Sequence, residues 1–198
     1  MTDAASPSGL SEAAQALLAR RAALNPNAGP RRGSSTGTAP LSSPQLGQWL
    51  AGEVSSSALL GAQPKTLHLE GSLDRSALRK ALTELVRRHE ILRTIFPIRS
   101  GEPVQHVLPP FDVALPELDL REQAAPERRR AALDLLDRDA RRRFDLTRDI
   151  QMRALLVQLD DRAYEFQVTF HPVAFDGWSN GVFLRELGAL YSAFAIGR

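Results

Sequence analysis

Two apolar runs, Ile150 to Leu159 (IQMRALLVQL) and Ala163 to Phe170 (AYEFQVTF), stand on either side of the polar triplet Asp160-Asp161-Arg162. So short a polar connection between two strand-like runs predicts a hairpin. The second run places Tyr164, Phe166, Val168 and Phe170 on one face, which has to be covered. Three helical stripes supply the cover. From Asp74 to Leu92 the residues Leu78, Ala81, Leu82, Leu85, Val86 and His89 recur at helical spacing. Pro126 to Arg143 opens with proline in its first turn and is read with Leu133, Leu136 and Ala140 inward. Ser179 to Phe194 carries Phe183, Leu184, Leu187, Leu190, Tyr191 and Phe194. Further strands are expected at Lys65 to Glu70 and Pro103 to Leu108. Strands and helices mix without strict alternation or internal repeat, which points to an α+β unit, a mixed sheet packed by helices.

The N-terminal part reads differently. Leu10 to Leu24 predicts a short amphipathic helix, with Ser11 as N-cap and Asn25-Pro26 as its stop. Asn25 to Pro40 is rich in Pro, Gly, Ser and Thr and cannot repay the entropy of ordering, so it is read as a flexible linker. The expected organisation is a tail with a short helix over 1–24, a linker over 25–40 and one folded domain over 41–198, near the usual size for a single core.

No apolar run reaches the roughly 20 residues of a membrane span, and the first residues lack a basic and apolar leader pattern, so a cytoplasmic protein without a membrane partner is expected. The chain has no cysteine, hence no disulfide, thiolate metal site or cysteine nucleophile. Its 25 basic and 23 acidic residues nearly cancel, so the pI of about 9.5 does not imply a nucleic-acid partner. Arg128 to Arg130 and Arg141 to Arg143 alternate with Asp134, Asp137 and Asp139, the pattern of a solvated helix face. The four histidines have no metal-ligand spacing, and neither a phosphate-binding glycine loop nor a nucleophile elbow is present.

Three segments then stand out in order: Leu41 to Leu50 (LSSPQLGQWL), Arg88 to Phe96 (RHEILRTIF) and His171 to Ser179 (HPVAFDGWS). They resemble the first three core motifs of nonribosomal peptide synthetase condensation domains: a serine, glutamine and tryptophan; an arginine-histidine-glutamate run leading to leucine, arginine, threonine and phenylalanine; and two histidines, three variable residues, aspartate and glycine. The resemblance implies a chloramphenicol acetyltransferase-like fold of two lobes, of which this chain is expected to hold the N-terminal one, the second being absent. It implies amide-bond formation between substrates on carrier proteins, with the phosphopantetheine arm as substrate tether and no cofactor bound directly.

In that family the second histidine of the third motif handles the amine proton, and Pro172 stands at its position. Proline has no titratable group and no backbone N–H. His171, Asp176 and Gly177 are therefore expected to be a motif remnant, and the lobe to be inactive alone. On an extended segment His171 should face away from the missing group. The other expected roles are structural. Arg93 is expected to pair with Asp176, Gly177 to supply a conformation that a Cβ resists, Trp178 to pack the start of the last helix, and His89 to be a hydrogen-bonded core residue. The alternative is a non-catalytic module that docks a carrier protein or a synthetase partner; a third reading is completion in trans by a separate second lobe.

Overall fold

The computed structural model describes residues 15–16, 37–54 and 62–198. Of the expected helix Leu10 to Leu24 only Gln15 and Ala16 are among the described residues, and both are helical; most of the expected linker lies outside the described residues. The linker's last three, Thr38–Pro40, form strand β1, paired with β5 (Glu102–Val107). Helix α1 spans Ser43–Val54, and an edge strand of the main sheet, β2, spans Gln63–Glu70.

Helix α2 (Arg75–Arg88) starts where Asp74 Oδ1 accepts from the Ala77 N–H at 2.9 Å, and it buries Leu78, Ala81, Leu82, Leu85 and Val86. It stops a turn short of the expected end. His89 takes an extended conformation, and Glu90–Arg93 form a turn of 3-10 helix. The short strands β3 (Thr94–Ile95) and β4 (Ile98–Arg99) both pair with β5, giving a small sheet β1-β5-β3 with β4 at its side.

The main sheet has the order β2-β8-β7-β6. The hairpin of β7 (Met152–Asp160) and β8 (Ala163–Phe170) forms its centre, with Met152 opposite Phe170 and a bulge between Gln158 and Asp160. β2 adds to β8 antiparallel, while β6 (Glu117–Asp119) adds to β7 in parallel. Alternation along the hairpin divides the core. Met152, Ala154, Leu156, Phe166, Val168 and Phe170 meet α2 and the last helix, α4 (Gly177–Ala195), on one face. Leu155 and Val157 meet α3 (Ala125–Arg141) on the other. The result is an α+β layered unit in which the hairpin is covered on both sides. Full burial of each large apolar side chain here contributes about 1.5–3 kcal/mol.

Helix α3 is rotated relative to the expectation. Ala132 and Leu136 face the sheet, whereas Leu133 is exposed. The rotation follows from Asp139, which the charge pattern placed on the solvated face but which turns inward to the sheet. A third apolar cluster joins Trp49 of α1, Phe96 and Val173, and it fixes the loop between β8 and α4 against the rest of the chain.

Candidate active-site loop and its supporting network

The segment from His171 to Asp176 leaves β8 and enters α4 with alternating burial. His171, Val173 and Phe175 point inward, Pro172 and Ala174 are half-buried, and Asp176 is exposed. Phe175 stacks on Phe170 at 3.8 Å between ring centroids, and Phe183 of α4 meets Phe170 edge-on at 5.0 Å. These aromatic contacts and Val173 hold the loop from both ends.

His171 is 5% exposed. Its backbone N–H donates to Gln151 O at 3.1 Å, its carbonyl accepts from the Ala174 N–H at 3.0 Å, and its Nδ1 accepts from the Val173 N–H at 3.1 Å. That last bond assigns the imidazole proton to Nε2. Burial pushes the imidazole pKa down to about 4, so the ring is neutral at pH 7. With Nδ1 occupied by its own loop and the charged form disfavoured, this side chain holds the turn.

Behind the ring lies a polar network that the sequence pattern did not reveal. The edge of Phe144 approaches His171, with 5.7 Å between centroids, and the Arg153 guanidinium lies 4.2 Å over the Phe144 ring centre. Arg153 Nε donates to both carboxylate oxygens of Asp139, at 3.2 and 3.3 Å, and its Nη2 donates to the carbonyls of Asp139 and Arg142. Asp139 Oδ2 also accepts from Gln167 Nε2 and Thr169 Oγ1, each at 3.2 Å. Burial pushes the Arg153 guanidinium down, Asp139 opposes that shift, and Arg142 adds to it by like-charge repulsion. A lone arginine within the apolar run IQMRALL, soon after a phenylalanine that follows an arginine run, was the available signal.

The other expected site residues take a range of roles. Asp176 is the N-cap of α4: its Oδ1 accepts from the Ser179 N–H at 2.8 Å and from Ser179 Oγ at 2.6 Å. These bonds hold its carboxyl below the usual carboxylate range. Arg93 does not pair with it. The Arg93 guanidinium donates to Leu108 O at 2.5 Å and to Glu90 at 3.1 Å, because the 3-10 turn directs it towards the end of β5. The expected Arg93–Asp176 pair is thus replaced by a helix cap at one end and a strand-end anchor at the other.

Gly177 is not among the positive-φ residues, and a Cβ there meets nothing within 4 Å, so the expected backbone requirement is absent. Trp178 is 86% exposed instead of packing the helix start, since the first turn of α4 presents it outward beside a shallow groove between α2 and α4. His89 is half-buried at the C-cap of α2 rather than in the core, and its Nε2 lies 2.8 Å from Glu186 Oε2 of α4. The site expectation therefore needs correction at Arg93, Gly177, Trp178 and His89. Among the described residues no cluster of His, Cys, Asp or Glu is arranged to hold a metal, and no helix is long and apolar enough to cross a membrane.

A loop of histidine, proline, aspartate and glycine thus leads from an antiparallel hairpin into a capped helix, all within one α+β layer system. The condensation domain family matches residues 35–198, and the chain belongs to it. The chain is 37% identical over 159 residues to the chondramide synthase of Chondromyces crocatus, covering 80% of this chain and 4% of that protein. It is 40% identical over 169 residues to phosphinothricin tripeptide synthetase PhsC of Streptomyces viridochromogenes, covering 85% and 16%.

Among solved structures, the X-domain from teicoplanin biosynthesis superposes with a TM-score of 0.74 at 32% identity, over 85% of this chain and 35% of that one. The starter condensation domain of the rhizomide synthetase gives 0.71 at 25% identity, over 81% and 38%. The chain thus spans about a third of these solved chains and a small part of the synthetases. The relatives include a probable non-canonical nonribosomal peptide synthetase of Salinispora arenicola, 39% identical over 160 residues.

Proposed function

We propose that this chain is a degenerate condensation lobe that has lost the acid–base position of amide-bond formation and is inactive alone. The observation that supports this most is Pro172 at the second motif position, beside a His171 that is buried, neutral and bonded through Nδ1 to its own loop. Neither residue can accept an amine proton efficiently at neutral pH. The remaining motif residues keep roles in the fold: His171 in the turn and Asp176 at the helix cap.

The test is amide formation by the Pro172→His variant, supplied with a complementing second lobe and carrier proteins loaded through their phosphopantetheine arms. A gain of about 100-fold or more over the parent is expected if the lost group is a general base. Equal rates for parent and variant would overturn the reading.

A second reading is favoured by one comparison. A solved complex of the X-domain and OxyB from teicoplanin biosynthesis matches this chain with a TM-score of 0.73 at 34% identity. There an X-domain, a chain of which this one spans 36%, is found in complex with OxyB, and a non-catalytic module that docks a carrier protein or synthetase partner is the corresponding proposal here. Titration with a set of carrier proteins is expected to give saturable binding unaffected by His171→Asn; flat titrations with every carrier would refute it.

A further inference from the structure

The groove between α2 and α4 narrows to a recess of about 140 Å³, with Leu85 and Ile91 on one side and Ala174, Phe175, Trp178 and Val182 on the other. An apolar cavity of that size holds one benzene-sized group, so a single leucine side chain fills it. Trp178 stands exposed at its edge, and Leu184 further along α4 is exposed as well. Arg185 and Glu186 are the only charged residues of α4, and a helix so apolar on all sides is one that a further element covers. The chain reaches its folded part at this place. Leu41, directly after β1, packs in the same apolar cluster as Ile91 and Ala174, two residues that line the recess.

The stretch upstream carries a stripe that fits. Leu10, Ala14, Leu17, Arg21 and Leu24 recur at i, i+4, i+7, i+11 and i+14, and the exposed Gln15 and Ala16 lie off that stripe. A lone helix of this length is marginal in water and gains its stability from a surface to pack on. Residues 25–36, when extended, reach about 40 Å, more than the length of α4, about 28 Å, so they let the helix turn back along the groove. Charge is complementary too: Arg21 falls on the stripe, and beside the groove stands the Glu186 carboxylate, 2.8 Å from His89 Nε2.

We propose that Leu10 to Leu24 docks as a helix along the α2–α4 groove of its own chain, with Leu17, the central leucine of the stripe, in the recess and Trp178 against the helix flank. The groove is then the seat of the chain's own N-terminal part, and a partner that uses this surface has to displace it. The assignment is independent of whether the His171 to Gly177 loop catalyses anything.

Because the chain has no cysteine, cross-linking tests this directly. In the full chain, Leu17→Cys with Val182→Cys is compared with Ala16→Cys with Val182→Cys under mild oxidation. Tethering alone brings both pairs together equally, whereas a docked helix holds only the first pair at bonding distance, so that pair is expected to close within one chain about 10-fold or more faster. Equal rates would overturn the proposal, and so would disulfides formed mainly between chains, which would give the groove to a second copy. A second readout needs no cysteine. Leu17→Glu is expected to raise acrylamide quenching of the tryptophan emission, the rise coming from Trp178 because Trp49 is buried, while Glu12→Gln, off the stripe, leaves it unchanged. Quenching that is the same in the parent and in Leu17→Glu would refute docking against Trp178.

Discussion

Replacing Asp139 by alanine is expected to destabilise the domain by about 3–5 kcal/mol, the usual cost of removing one partner from a buried ion pair. The side chains of Asp139 and Arg153 are 16% and 10% exposed, and the carboxylate also serves Gln167 and Thr169. Its loss strands a guanidinium charge and two polar donors between α3 and the sheet. Urea denaturation of parent and variant measures this, and the pair Asp139→Leu with Arg153→Met separates the causes. If the penalty comes from the uncompensated charge, the double change should recover much of the loss. A single variant within about 1 kcal/mol of the parent would contradict the network.

The second large effect is acid sensitivity. His171 titrates near 6.5 when unfolded and at about 4 in the folded protein, so between these values the unfolded chain takes up a proton that the folded chain refuses. The stability this group supports is therefore complete above pH 6.5 and declines as pH falls towards 4, by up to about 3 kcal/mol. His68 acts in the opposite sense. Its pKa is raised by the Glu165 carboxylate, so acidification through that range favours the folded form, although the pair is exposed and its contribution small. The readout is the difference between parent and His171→Asn: the variant should lose less stability from about pH 7 to about pH 4.5. Parallel stability curves would show that the imidazole is not buried neutral.

Strongly periodic elements are legible in the amino-acid order alone. The stripe of α2, the last helix and the β7–β8 hairpin were readable because each buries one continuous face, and period then specifies structure. The short strands were not. All three residues of β6 are exposed, so Glu117–Asp119 has no pattern of its own and exists because β7 offers a parallel partner. β3 and β4 are two residues each and are defined by β5 alone.

At the site, the proline was visible as a missing side chain at a defined motif position. What supports the loop was hidden: an arginine in an apolar strand and an aspartate in a charged helix look unrelated until α3 lies across the sheet. Trp178 shows the converse error. A tryptophan at a helix start suggests packing, but the first turn of α4 presents this one to solvent.

The order of strands also governs how this chain must fold. Among the described residues β2 pairs only with β8, and the joined residues, such as Leu67 and Phe166, lie about a hundred residues apart. Until β8 has been synthesised, β2 has no partner and the apolar stripe of α2 has no sheet to rest on. A late loop closure of this length makes for slow assembly, with the early half of the chain waiting open. Pro64 and Lys65 suit that wait: a missing donor and a charge make the outermost strand a poor template for a neighbouring nascent chain.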